Sequence, residues 1–182
     1  MKKFEEKTIH TNHIFNGKMI SLQVDEVSLP DGKTSKRELV KHPGAVAVIA
    51  ITDEGKMVMV EQYRKPLERS LVEIPAGKLE PGEQPHTTAV RELEEETGYT
   101  AKRLERVTSF ATSPGFADEV IHLYIAHQLS VVEEKLAGDD DEFVELLEVT
   151  LDEAERMQQE ERIWDAKTAY AVLFARANGL LK

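Results

Sequence analysis

Two glutamates four residues apart, Glu92 and Glu96, lie in the run Arg91-Glu-Leu-Glu-Glu-Glu-Thr-Gly98, shortly after Gly77-Lys-Leu-Glu-Pro-Gly-Glu83. On a helix they rise from one face, with Glu95 flanking it and Arg91, four residues before Glu95, in reach of a charged hydrogen bond. Like charges at this spacing cost an isolated helix ~0.2–0.5 kcal/mol per pair. A hard divalent cation among the oxygens removes that conflict, and Mg²⁺ held by one or two carboxylates usually carries substrate phosphates as well. These residue types at this spacing point to phosphate handling at a metal site.

Positioning such carboxylates takes a helix, a glycine turn and a sheet to hold both. The spacing predicts a helix from about Pro85 or His86 to Thr97, with proline at a first helical position and Gly98 as the stop. Before it, Gly44–Thr52 is a continuous apolar β-type run, covered on both faces, and Lys56–Arg64 returns as its partner across Asp53-Glu-Gly55. Leu71–Pro75 then leads into the Ala76-Gly77 turn. Further strands are predicted at about Leu104–Thr112, Val120–Gln128 and Phe143–Val149. Helices are predicted at Leu151–Glu160 and from an Asp165 N-cap to about Ala177, with Gly179 as stop. Upstream, Asn16-Gly17 and Pro30-Asp31-Gly32 punctuate hairpins, Ile20–Val27 alternates with period two, and Ser35–Val40 reads as its neighbour. The fold class is α+β: a mixed sheet flanked by helices, plus a small N-terminal β-segment. The boundary falls near His42-Pro43-Gly44, giving a segment 1–42, too small to fold alone, and a domain 43–182.

The chain of 182 residues, 41% apolar and 31% charged, has the composition of an ordinary soluble globular protein. Its net charge of −11 disfavours nucleic acid, whose binders carry a basic field. A polyanionic substrate must be met by metal ions and a few placed arginines. Cysteine is absent, which leaves no disulfide framework, thiolate zinc site or cysteine nucleophile. No apolar run approaches the ~18–20 residues that span a bilayer, and the start lacks the apolar core of a secretory signal, so a cytoplasmic location is expected.

Gly77, Glu83, Arg91-Glu92-Leu93, Glu95-Glu96 and Gly98 carry the spacing Gly-x5-Glu-x7-Arg-Glu-Leu-x-Glu-Glu-x-Gly. This resembles the Nudix box, the signature of hydrolases that cleave nucleoside diphosphates linked to another group. Tyr99 stands where the family prefers an aliphatic residue, a difference of packing rather than chemistry. The resemblance implies the Nudix α/β/α sandwich. It also implies metal ligation by Glu92, Glu96 and the backbone carbonyl of Ala76, with Glu95 auxiliary. Gly77, Glu83 and Arg91 then brace the loop and orient the carboxylates. The implied cofactor is Mg²⁺, with Mn²⁺ able to substitute, at more than one ion per site.

Pro114, fifteen residues after Tyr99, is similar to the proline of the ADP-ribose pyrophosphatase branch, as are the N-terminal β-segment and Glu61-Gln-Tyr-Arg64. That branch implies hydrolysis of ADP-ribose to AMP and ribose 5-phosphate. It also implies Glu142, in the acidic loop 138–142, as catalytic base or as an additional metal ligand, with Asp141 as runner-up base. Substrate contacts are implied at Arg64 and Arg37, the latter equally readable as part of a charged edge strand. Phe116 is available to stack on adenine or to anchor its loop, and Glu119 to approach the metals or face solvent. His122 and His127 read as packing residues, and Trp164 as core or interface. The family further implies a homodimer through the N-terminal segment, so that one site uses both chains.

Two other readings use the same motif. One is a broader nucleotide-sugar or dinucleoside-polyphosphate hydrolase, against which Pro114 argues. The other is a non-catalytic nucleotide-sensing module, a class that generally loses glutamates which here are all present.

Overall fold

The computed structural model describes residues 3–132 and 143–181, which fall into two units. The first comprises the residues up to Gly44 together with 110–121. Its antiparallel sheet, in order β1-β2-β3, is built from β1 (Lys7–Asn16), β2 (Ser21–Ser28) and β3 (Thr34–Lys41). Gly17 closes the first turn, its N–H donating to the Ile20 carbonyl at 2.9 Å. The period-two pattern of β2 points Asp25 and Val27 inward. Asp25 is satisfied there by donation from the Thr8 hydroxyl at 3.0 Å and the Gln23 amide at 2.9 Å. With a further hydrogen bond from Thr11 as the leading cause, these donors hold its carboxyl below the usual range. Residues 110–121 join this unit through Val40 N–H donating to the Phe116 carbonyl at 2.8 Å and Lys41 Nζ donating to Asp118 at 2.6 Å.

The second unit covers 45–109 and the described residues from His122 onward. Its elements are β4 (Ala45–Ile51), β5 (Met57–Arg64), β6 (Arg69–Glu73), β7 (Ala76–Lys78) and α1 (Pro85–Thr97). They are followed by β8 (Tyr99–Ala111), β9 (Val120–Val131), β10 (Val144–Val149), α2 (Leu151–Gln159) and α3 (Ala166–Ala177). The ends of β8 and β9 pass into the first unit. The sheet runs β10-β5-β4-β9-β8, with β6 added to β5 and β7 to β4. The continuous apolar run of β4 is the centre of the core, residues 46–50 being wholly buried.

α1 owes its place to two adjacent stripes. Ala89 and Leu93, four apart, pack against Val46, Val48, Ala50, Val58 and Tyr124. Thr88, Glu92 and Glu96, one position round the helix, form a buried polar stripe beside them. Pro85 occupies the first turn, and Gly98 ends the helix in the left-handed region at φ 72°, its N–H donating to the Glu94 carbonyl at 2.9 Å. At the other end of the unit, Thr150 and Glu153 cap α2 reciprocally and Asp165 caps α3.

Three details differ from the sequence reading. β8 begins at Tyr99 rather than near Leu104: Tyr99 and Ala101 already pack against the core, and the exposed pair Lys102-Arg103 breaks the alternation before Leu104. The glycine turn at Ala76-Gly77 is itself a short strand, paired with β4. Of the two readings of Trp164, core or interface, the first does not hold: it is half exposed, with the Arg69 guanidinium 5.2 Å from its ring. Among the described residues, no helix is long and apolar enough to cross a membrane.

Candidate functional site

Glu92 and Glu96 are nearly buried, 8% and 4% exposed, although both belong to a residue type that avoids the interior unless paired. What they meet is the backbone of β7. The Ala76 N–H donates to Glu96 Oε2 at 2.9 Å. Val48 N–H donates to the Pro75 carbonyl at 2.8 Å, and this sets the alternation of the β4–β7 ladder. Ala47 opposite Ala76 is then a non-hydrogen-bonded pair, and both main-chain groups of Ala76 turn away from β4, the N–H toward Glu96.

Glu92 lies directly on Gly77. A Cβ built at Gly77 would fall 1.9 Å from the Glu92 Cδ and about as close to both its oxygens, so only glycine leaves room for this carboxylate. The bracing is done by Arg91. Its Nη1 donates to Glu92 at 2.8 Å and to Glu95 at 2.7 Å, and its Nη2 donates to Glu83 at 3.1 Å and to the Lys78 carbonyl at 3.4 Å. Burial alone would lower the Arg91 pKa, but the hydrogen bonds and charge of Glu83, Glu92 and Glu95 raise it. Glu83, held by Arg91 and then by the Thr88 hydroxyl at 2.9 Å, has its carboxyl below the ordinary range. One guanidinium thus ties the loop after β7 to the acidic face of α1.

Arg64, at the end of β5, is close enough to Glu96 to feel its charge. Its Nε and Nη2 each donate at 2.7 Å to the two oxygens of Glu73. Glu73 is 2% exposed and also accepts from Lys167 Nζ, which donates in turn to Asp165 at 2.9 Å. Glu73, Lys167 and Asp165 were not read from the sequence as site residues. The available signal was a single charge inside the otherwise apolar stretch Leu71-Val-Glu-Ile74.

Arg37, Phe116 and Glu119 belong to the first unit. There Arg37 forks onto Glu6 at 2.8 and 2.5 Å and donates to Ser35 at 3.0 Å. Phe116 has an exposed ring, and Glu119 accepts from the Thr112 hydroxyl and lies 3.6 Å from His42 Nδ1. His122 accepts or donates at 2.7 Å to the Ser109 hydroxyl. Glu142 and Asp141 lie outside the described residues. A hollow of about 600 Å³ is lined by Glu61, Tyr63, Ser70 and Phe143 and by none of the α1 carboxylates. It is a shallow, open depression on the sheet, and the chemistry of the donor groups locates the site better than its size does.

Residues 41–171 match the family model described as the NUDIX domain. The chain belongs to the NUDIX family. It is 61% identical to an ADP-ribose pyrophosphatase of Bacillus subtilis (strain 168) over 182 residues, covering 100% of this chain and 98% of that one. It is 64% identical to a methanol dehydrogenase activator of Bacillus methanolicus over 181 residues, again with 100% and 98% coverage. An ADP-ribose pyrophosphatase of Mycobacterium tuberculosis is 41% identical over 133 residues, 72% of this chain and 64% of that one. The fold is also that of a solved crystal structure of an ADP compounds hydrolase, with a TM-score of 0.84 at 18% identity over the whole of both chains. NUDIX ADP-ribose pyrophosphatases generally use divalent metal ions. In this NUDIX chain, hydrogen bonds and close packing join Ala76, Gly77, Glu83, Arg91, Glu92, Glu95 and Glu96 into one cluster, with Arg64 near Glu96.

Proposed function

We propose that this chain hydrolyses the diphosphate of ADP-ribose to AMP and ribose 5-phosphate, using Mg²⁺ or, in its place, Mn²⁺, at more than one ion per site. The observation that carries the reaction class is the pair of buried carboxylates, Glu92 and Glu96, packed on the backbone of Ala76 and Gly77. The full-length likeness to the Bacillus subtilis enzyme supports the substrate.

The donors fit a hard divalent ion. All are oxygens, Glu92 occupies a cradle that a Cβ would fill, and the Ala76 carbonyl turns off the sheet together with an N–H that Glu96 already accepts. Among the described residues no three His, Asp or Glu side chains form a complete cage. Mg²⁺ is commonly held by one or two carboxylates plus substrate phosphates. When bound there, it neutralises charge on the diphosphate and acidifies water. Glu92, Glu96 and the Ala76 carbonyl would hold it, with Glu95 auxiliary. Arg91, braced by Glu83, keeps these carboxylates aimed. Arg64 offers a cation to the phosphates, Glu142 (or Asp141) takes the proton of the attacking water, and Arg37 and Phe116 contribute to binding the substrate's remainder. A contact from Glu119 would exchange its partners Thr112 and His42, as one from Arg37 would exchange Glu6 and Ser35.

We place the homodimer interface in residues 1–42. Exposed Phe4, Ile9, Ile14, Phe15 and Met19 in this segment support it. Removing residues 1–40 should yield a monomer with weakened ADP-ribose affinity; a truncated monomer with unaltered kinetics would overturn the shared-site reading.

The likeness to the methanol dehydrogenase activator favours a second reading, activation of an alcohol dehydrogenase by the same site. The deciding assay is hydrolysis of a nucleoside-diphosphate panel with Mg²⁺ in ¹⁸O water, products analysed by mass, with dehydrogenase rates followed in parallel. ADP-ribose should be the preferred member, with label in one product phosphate. Indifference to ADP-ribose alongside cleavage of GDP-sugars or dinucleoside polyphosphates would replace the proposal with the broader hydrolase. No cleavage of any member would leave the sensing module.

A further inference from the structure

We infer that Glu73 is a positioning residue that fixes Arg64 for the diphosphate, with Lys167 of α3 as its second hold. The inference rests on the reading of Arg64 as a phosphate contact and goes beyond it by assigning the group that makes that contact directional.

A carboxylate at the end of β6, 2% exposed and flanked in sequence by the buried Leu71, Val72 and Ile74, must be paired to be tolerated. Its pairing is highly specific. Both oxygens are engaged by the Nε–Nη2 edge of Arg64 at 2.7 Å each, a bidentate fork that fixes the plane of the guanidinium as well as its location. Since Nε and Nη2 face Glu73, the Nη1 edge is, among the described residues, the one left to meet an anion, on a side chain 37% exposed. An arginine without such a fork would sample many rotamers, and ordering it would fall on the substrate's binding free energy.

The second cation joins the first on Glu73 Oε2, which accepts from both Arg64 Nη2 and Lys167 Nζ. Lys167 Nζ donates to Glu73 Oε2 and to Asp165 Oδ1, while Asp165 Oδ1 also accepts the Thr168 N–H at 3.0 Å. Two cations and two carboxylates leave the cluster neutral, so Arg64 gains orientation while Glu73 stays ionised. Burial alone would raise the Glu73 carboxyl, but the fork from Arg64 and the charge of Lys167 outweigh it and lower its pKa. The N-terminus of α3 holds the neighbouring residue too, the Thr168 hydroxyl accepting the Ile74 N–H at 3.1 Å. Ile74 leads through Pro75 to Ala76, so one helix end steadies both the arginine and the strand carrying the carbonyl of the metal site. For stability alone, apolar residues of similar volume would serve as well as this ionic cluster. A requirement to aim Arg64 explains why charge is used.

The test is a double-mutant cycle on the full-length chain: wild type, Glu73→Gln, Arg64→Ala and the double variant, with Mg²⁺-dependent ADP-ribose hydrolysis and thermal melting read together. Glu73→Gln should lower kcat/KM on the order of 10–100-fold, mainly through KM, as expected for a phosphate contact put out of line. In the Arg64→Ala background the same change should add less than about twofold, because a residue acting through another loses its effect when that other is gone. Equal losses in both backgrounds, or a lower melting temperature with unaltered kcat/KM, would overturn the positioning role and leave a structural one. Unchanged kcat/KM in Arg64→Ala alone would instead refute the phosphate contact on which the inference stands. Should Glu73→Gln fail to fold, Glu73→Asp, which keeps the charge and withdraws it by one methylene, carries the same cycle with the same expected outcomes.

Discussion

Gly77→Ala isolates the geometry of the site from its chemistry, because it alters no ionisable group. Gly77 is not in the positive-φ region, so alanine meets no backbone strain there. The new methyl group would instead coincide with the Glu92 carboxylate, 1.9 Å from its Cδ, whereas ordinary contact begins near 3.4 Å. The carboxylate must therefore retreat by about 1.5 Å, and it can, being the end of a flexible side chain. Mg²⁺–oxygen distances tolerate only about 0.2 Å, so a retreat of that size removes Glu92 from any ion it shares with Glu96 and the Ala76 carbonyl. Misplacement by about 1 Å near a reacting centre costs on the order of 100-fold in rate, equivalent to about 2.7 kcal/mol of transition-state stabilisation. The assay is ADP-ribose hydrolysis across a Mg²⁺ titration, with a melting curve on the same preparation. The expected variant is folded, melts within a few degrees of the parent, needs more Mg²⁺ and has kcat/KM reduced about 100-fold or more. A folded Gly77→Ala protein with parental kcat/KM and parental Mg²⁺ demand would refute the reasoning.

Glu142→Gln should retain ADP-ribose binding by calorimetry and lose several orders of magnitude in kcat; near-parental turnover would pass the base role to Asp141 or to another group. Thr150→Ala removes one half of the capping box of α2 and should cost about 1 kcal/mol in urea unfolding without altering kcat/KM. The lowered Glu73 pKa has a defined sign. Its contribution to stability is fully present above the ordinary glutamate value of 4.5 and is lost as the pH falls through the lower native value. The unfolding free energy should therefore decline below pH 4.5, and less steeply in Glu73→Gln; parallel profiles would remove Glu73 from the acid-sensitive groups.

The helix that carries the carboxylates was legible to within one residue, because a proline start, a glycine stop and the box spacing agree with one another. The covered strand β4 was legible from its unbroken apolar run. β1 was marked only by its closing Asn16-Gly17. Its register shifts between Thr8 and His10 and again between His13 and Phe15, and each shift breaks the alternation that would have announced a strand. Within the site, Arg91 and its acidic partners could be read because helical spacing of three and four makes them neighbours. Glu73 and Lys167 could not, since 94 residues separate them and only the docking of α3 against β6 brings them together. The sequence marks contacts that helix geometry dictates; those created by packing of distant elements have no local signature.

The most direct test of the central claim is turnover of ADP-ribose by chelator-treated protein before and after addition of Mg²⁺, run beside Glu96→Gln. The claim that the carboxylates of α1 gather a divalent ion onto the diphosphate predicts negligible turnover without metal, full recovery with it, and no recovery in Glu96→Gln. Equal activity with and without metal, or an undiminished Glu96→Gln enzyme, would contradict it.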